Sequence, residues 1–157
     1  MMDFGALGVV LSIIVIVVLF SFFRGRGGVA HRPEVVQFLL YDVKLNQVLV
    51  DTFHQREKPR RLEKTNWEIN KSKISFLGES LKDTLKQTFD MVEEVNQDLK
   101  MTRKNKSLSY QDINVSRLKE PLSRCREGLE EWLMDTIGTT EVSPRYPSIS
   151  GFLFGER

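Results

Sequence analysis

From residue 4 to residue 23 no position is charged, and Val, Ile, Leu and Phe dominate. At about 1.5 Å per residue such a run is about 30 Å long as a helix, the thickness of the hydrocarbon core of a bilayer. A cleaved export signal carries a basic leader and a small-residue cleavage site, whereas here Asp3 precedes the run and Phe22, Phe23 and Arg24 follow it. The pattern predicts a retained transmembrane helix at 4–23. Arg24, Arg26 and Arg32 on its carboxyl side, against Asp3 before it, predict by the positive-inside bias a short extracytoplasmic terminus at 1–3 and a cytoplasmic remainder at the cell membrane. Gly25, Gly27 and Gly28 make 24–32 a basic, flexible hinge.

Beyond the hinge the hydrophobic period changes. Pro33 suits the first turn of a helix, where its missing N–H is not needed. Over 33–55 the positions Val35, Phe38, Leu39, Val43, Leu45, Leu49, Val50 and Phe53 cover a broad arc, with Gln37, Lys44, Gln47 and Asp51 opposite. A strand pair competes, since VVQFLLYDV and NQVLVDTF are β-prone, but neither alternates strictly and no glycine turn separates them. Helix is the expectation. Within the apolar arc stand Asp42 and Asn46, at i and i+4 on one face. Either they form a polar, register-setting contact inside a bundle or with a partner, or the face is half covered and both reach water. The second reading is the simpler.

Pro59 ends this segment in a charged linker at 56–64 that carries Arg56, Lys58, Arg60, Arg61 and Lys64. Such residues contribute about 1 kcal/mol each against anionic lipid, or form an ordinary solvated turn. Thr65 and Glu68 then have the spacing of a capping box, which predicts a long helix at 66–102. Its stripe is Trp67, Ile74, Leu77, Leu81, Leu85, Phe89, Val92, Val95 and Leu99, interrupted at Asn70, with Ile69 and Phe76 as a second patch off the stripe. A polar loop follows. Val115, Leu118, Leu122, Cys125, Leu129 and Trp132 then predict a last helix at 115–137, stopped by Gly138, with Pro121 near its start. The tail at 138–157, with Pro144, Pro147, Gly151 and Gly155, is expected to be extended. The fold class is therefore all-α: one transmembrane helix, then a cytoplasmic antiparallel bundle of about three amphipathic helices with coiled-coil-like stripes.

Composition adds exclusions. With 157 residues, 23 basic and 21 acidic, the net charge of +2 gives no global field for nucleic acid, and the basic linker has no stacking aromatics beside it in sequence. The lone Cys125 excludes an internal disulfide, and His31 and His54 sit in no metal-ligand spacing. The GRGG stretch lacks the Lys-Ser/Thr of a phosphate loop. No catalytic constellation, cofactor, metal or small-molecule substrate is expected. The expected task is a non-enzymatic scaffold, assembly or tethering module that engages the bilayer, with Arg24 and Arg26 beside it, and a protein partner or a second copy. The alternative is a peripheral lipid-binding or membrane-shaping module that uses helix 33–55 and the linker.

Overall fold

The computed structural model describes residues 31–140. The span expected at 4–23, most of the hinge with Arg24 and Arg26, and residues 141–157 of the expected tail lie outside them. Among the described residues the chain is helical with no strand, and no helix is long and apolar enough to cross a membrane. Four α-helices occur: α1 (Arg32–Asp51), α2 (Thr65–Asn70), α3 (Glu79–Lys104) and α4 (Lys119–Ile137). Short 3-10 turns at Phe53–Gln55, Tyr110–Asp112 and Ser116–Leu118 link them.

The strand alternative for 33–55 does not occur. Its helix ends at Asp51, four residues before the expected boundary, because the chain tightens into the Phe53–Gln55 turn and buries Phe53. More than half the circumference of α1 is covered: Val36, Leu39, Leu40, Val43 and Leu45 are fully buried, and Lys44 and Gln47, expected on a solvated face, reach α4 instead.

The single helix expected at 66–102 is two. α2 stops after six residues at Asn70, whose side-chain amide turns back to donate to the carbonyl of Asn66 at 2.9 Å. The loop 71–78 then buries Ile74 and Leu77, and α3 starts after Gly78. The gap in the stripe at Asn70 marks the break. A continuous helix would carry Phe76 off the apolar face, whereas the bend lets it lean on Trp132 of α4, ring centroids 5.2 Å apart. Ile69, the other member of that patch, stays exposed. The capping box is not formed either: the N–H groups that open α2 are taken by Asp42 and Glu63, while Glu68 pairs with Lys64 and Lys71. The distant Asp42 and the neighbouring Glu63 together cap the helix in place of the box.

Helix directions follow from the contacts. Lys44 meets Glu130, Gln47 meets Arg126 and Asp51 meets Lys119, so α1 and α4 are antiparallel. Leu81 lies against Gly128, Thr88 against Cys125 and Glu94 against Arg117, so α3 and α4 are antiparallel too. Hence α1 and α3 run in the same direction, against the all-antiparallel expectation. The cause is the connection between them. Residues 56–64 run back along both helices as an extended strap, so the chain re-enters at the end where it began, as in bundles with a crossover.

The core is shared by all three long helices, with α3 contributing Leu85, Phe89, Val92, Val95 and Leu99 and α4 contributing Leu122, Cys125, Leu129 and Leu133. Leu133, not Trp132, completes the α4 face. α4 starts at Lys119 rather than 115, after a turn in which Val115 and Leu118 are buried, and Pro121 sits in its first turn without a break. Gly138 ends it with φ 69°, the left-handed conformation that favours glycine.

Candidate functional site

Asp42 and Asn46 are both 0% exposed, so the half-covered, water-facing reading of this pair is overturned. What they hold is backbone. The Asp42 carboxylate accepts from Asn66 N at 2.9 Å, Trp67 N at 3.1 Å and Asn66 Nδ2 at 2.7 Å. Asn46 accepts from Glu63 N and donates to Glu63 O, both at 2.6 Å. On the other side of the strap Asn96 repeats the motif on the preceding residue, accepting from Leu62 N at 2.8 Å and donating to Leu62 O at 3.0 Å. Successive peptides of an extended chain point to opposite sides. Two asparagine amides, one on α1 and one on α3, therefore serve as the missing neighbour strands. Leaving such buried groups unpaired costs about 1–3 kcal/mol each.

Burial pushes the Asp42 carboxyl up to about 6, against the downward pull of the hydrogen bonds from Asn66 and Trp67. It is ionised at neutral pH, and its three N–H donors fill the places a reacting proton or metal would need. Burial also lifts Glu63, but hydrogen bonds from Thr65 and Lys64 outweigh it and hold that carboxyl below the usual range. Burial pushes the Cys125 thiol up to about 11, and it donates to Thr88 Oγ1 at 3.3 Å as a packed, protonated side chain. Among the described residues no group of three or more His, Cys, Asp or Glu could hold a metal ion.

The basic linker divides. Lys64 leaves the cluster for Glu93 at 2.6 Å, and that hydrogen bond raises the lysine's pKa and lowers the glutamate's. Arg56 is half-buried at the exit of the first 3-10 turn, apart from the rest. Lys58, Arg60 and Arg61 are exposed, and the fold sets against them three cations from the last turns of α3, Lys100, Arg103 and Lys104. Arg61, Lys100, Arg103 and Lys104 line an open groove of about 770 Å³, and a second open pocket of about 500 Å³ that shares Arg61 and Arg103 with it is lined by Lys58, Pro59, Arg60 and Tyr110. Arg103 donates to the carbonyl of Pro59 at 2.8 Å and so joins the two walls. Glu93 is the carboxylate in the lining, 3.9 Å from Arg61.

The strap half of this groove is visible as a basic run in sequence, and the α3 half is not, although KMTRKNK at 100–106 is itself a cationic signal. Glu93, Asn96, Lys100, Arg103 and Lys104 recur at the three- and four-residue spacing of one helix face. That spacing, once Asn96 is known to face the strap, places the three cations beside it. Comparison of the chain with family models, curated proteins and solved structures returns no match. No residue role is therefore carried over from another protein, and the groove stands on its own geometry.

Proposed function

We propose that this chain is a single-pass membrane protein, spanning at 4–23 with its amino terminus outside, whose helical domain is a non-enzymatic tether or scaffold for a protein partner or a second copy. The observation that carries the reading is where the domain starts. α1 begins at Arg32, directly after the apolar run and its glycine-rich sequel, and this first helix is itself a wall of the core. A span joined to a core helix fixes a domain to a membrane. A further support is that the polar groups suited to chemistry are occupied: Asp42 caps α2, Asn46 and Asn96 hold the strap, and Cys125 is buried.

Set against a lipid-surface module resting on helix 33–55, the tether is supported by the burial of that helix's apolar arc in the bundle, which leaves it no free apolar face of the kind interfacial helices use. The test is extraction of the full chain from membranes. Retention in the pellet at alkaline carbonate and release by mild detergent is the expected result, with cross-linking before solubilisation to capture a partner or a dimer. Release by carbonate removes the span, and a strict monomer with no cross-linked neighbour removes the scaffold.

A further inference from the structure

The groove between the strap and the end of α3 combines three properties that an ordinary solvated charge run does not share. Its walls are fixed: Pro59 and Leu62 are buried, Asn96 clamps Leu62, and Arg103 bonds the Pro59 carbonyl. Its charge is one-sided, with Arg61, Lys100, Arg103 and Lys104 against Glu93, and the pocket beside it adds Lys58 and Arg60. Its surface is not purely polar, because Leu99 lines it and Met101, 59% exposed, stands at its edge. The negative end of the α3 dipole accounts for cations in the last turn, Arg103 and Lys104. It does not account for the cations on the strap, which is no helix end. Gathering like charges on two rigid walls disfavours the empty groove and favours an anionic occupant.

We propose that this groove binds an acidic segment of a partner protein, one that carries apolar side chains between its carboxylates. The inference deepens the tether reading and rests on it for the occupant being a protein. A groove of about 770 Å³ suits several residues of chain rather than one small anion. Single-stranded nucleic acid calls for a row of stacking aromatics, and the groove is lined by none, with Tyr110 in the pocket beside it half-buried against the core. A lipid surface suits a flat or convex patch, and this site is concave.

The test uses the full chain in neutral-detergent micelles and a labelled peptide of alternating Glu and Leu, read by fluorescence anisotropy. Binding is expected at low salt and weakens as salt rises. Arg61→Glu with Lys100→Glu, one reversal on each wall, is expected to weaken it about tenfold or more. Lys73→Glu with Lys86→Glu, the same change of net charge away from the groove, is expected to stay within about twofold. Should the reversals unfold the domain, Arg61→Gln with Lys100→Gln makes the same comparison. The proposal is overturned by no binding to the wild-type chain at low salt or by equal losses in groove and control variants. It is also overturned if an RNA oligonucleotide or anionic-lipid nanodiscs bind more tightly and show the same dependence on Arg61 and Lys100. Carbonate extraction is independent of this readout, so failure of the groove and failure of the anchor are distinguishable.

Discussion

The two flanks of α3 are closed by different means. On the α4 side the contact is apolar and close, because Thr88, Cys125 and Gly128 are small: a Cβ added at Gly128 would come within 2.7 Å of Leu81 Cδ1. On the strap side the neighbour is a length of extended chain with no hydrogen-bond ladder of its own, and Asn96 and Asn46 supply what a sheet would have supplied, with Asp42 capping the helix that follows. Losing a contact on the first side leaves a void or a bump, which neighbouring side chains partly absorb. Losing one on the second strands a buried backbone group, and nothing nearby can replace its partner.

Truncation of Asp42 should give the largest loss. Asp42→Ala leaves three N–H donors without an acceptor at the start of α2, and a destabilisation of about 3–5 kcal/mol is expected. Denaturant unfolding followed by the fluorescence of Trp67 and Trp132 measures it, and a loss under about 1 kcal/mol would mean the cap is not what holds α2.

Asp42→Asn separates the charge from the hydrogen bonds. One amide oxygen can accept from both Asn66 N and Trp67 N, as Oδ2 does now, and its NH₂ can donate to Asn66 Oδ1 after an amide flip. Because the folded carboxyl is raised from 3.8 to about 6, its contribution to stability is full below about 4 and is lost as pH rises through about 6. The stability of wild type minus that of Asp42→Asn is therefore expected to fall between pH 4 and 7 by up to about 3 kcal/mol. A flat difference over that window would place the carboxyl in a wetter site.

Asn46→Ala and Asn96→Ala each release the N–H and C=O of one strap residue, Glu63 and Leu62 respectively, and each is expected to cost about 2 kcal/mol. Amide exchange should show the change first at Leu62 and Glu63, and global exchange with no local excess there would argue against a strap held by side chains. Smallest is Gly128→Ala, where the gain in helix propensity, about 1 kcal/mol, offsets the shift asked of the half-buried Leu81 side chain. A net change within about 1 kcal/mol is expected, and a loss much above that would show Leu81 to be pinned.

How much of this was legible in the sequence differs by element. The last helix was, in its stripe and its stop, because Gly138 and the apolar spacing act over a few residues. The long central helix was legible only from Glu79 onward. The gap at Asn70 marked the break, but the apolar residues on both sides of it read as one stripe. Asp42 and Asn46 were visible as a pair, though what they face could not be read from their own helix. The strap cations were visible, while their counterparts on α3 lie some forty positions away.

The sequence by itself determined the all-helical class of the described residues, most of the apolar positions of the three long helices, and where the last of them stops. It also carries the uncharged run and the arginines that place the proposed span. These properties depend on neighbours within one or two turns, and period, cap and composition record them directly. The tertiary structure alone decided that α1 and α3 run parallel, that two buried amides hold the strap between them while a carboxylate caps α2, and that two distant basic runs meet at one groove. Each of these depends on the path of the chain between residues 52 and 78. That path is set by where buried backbone groups find partners, and no local pattern records which distant side chain will be there.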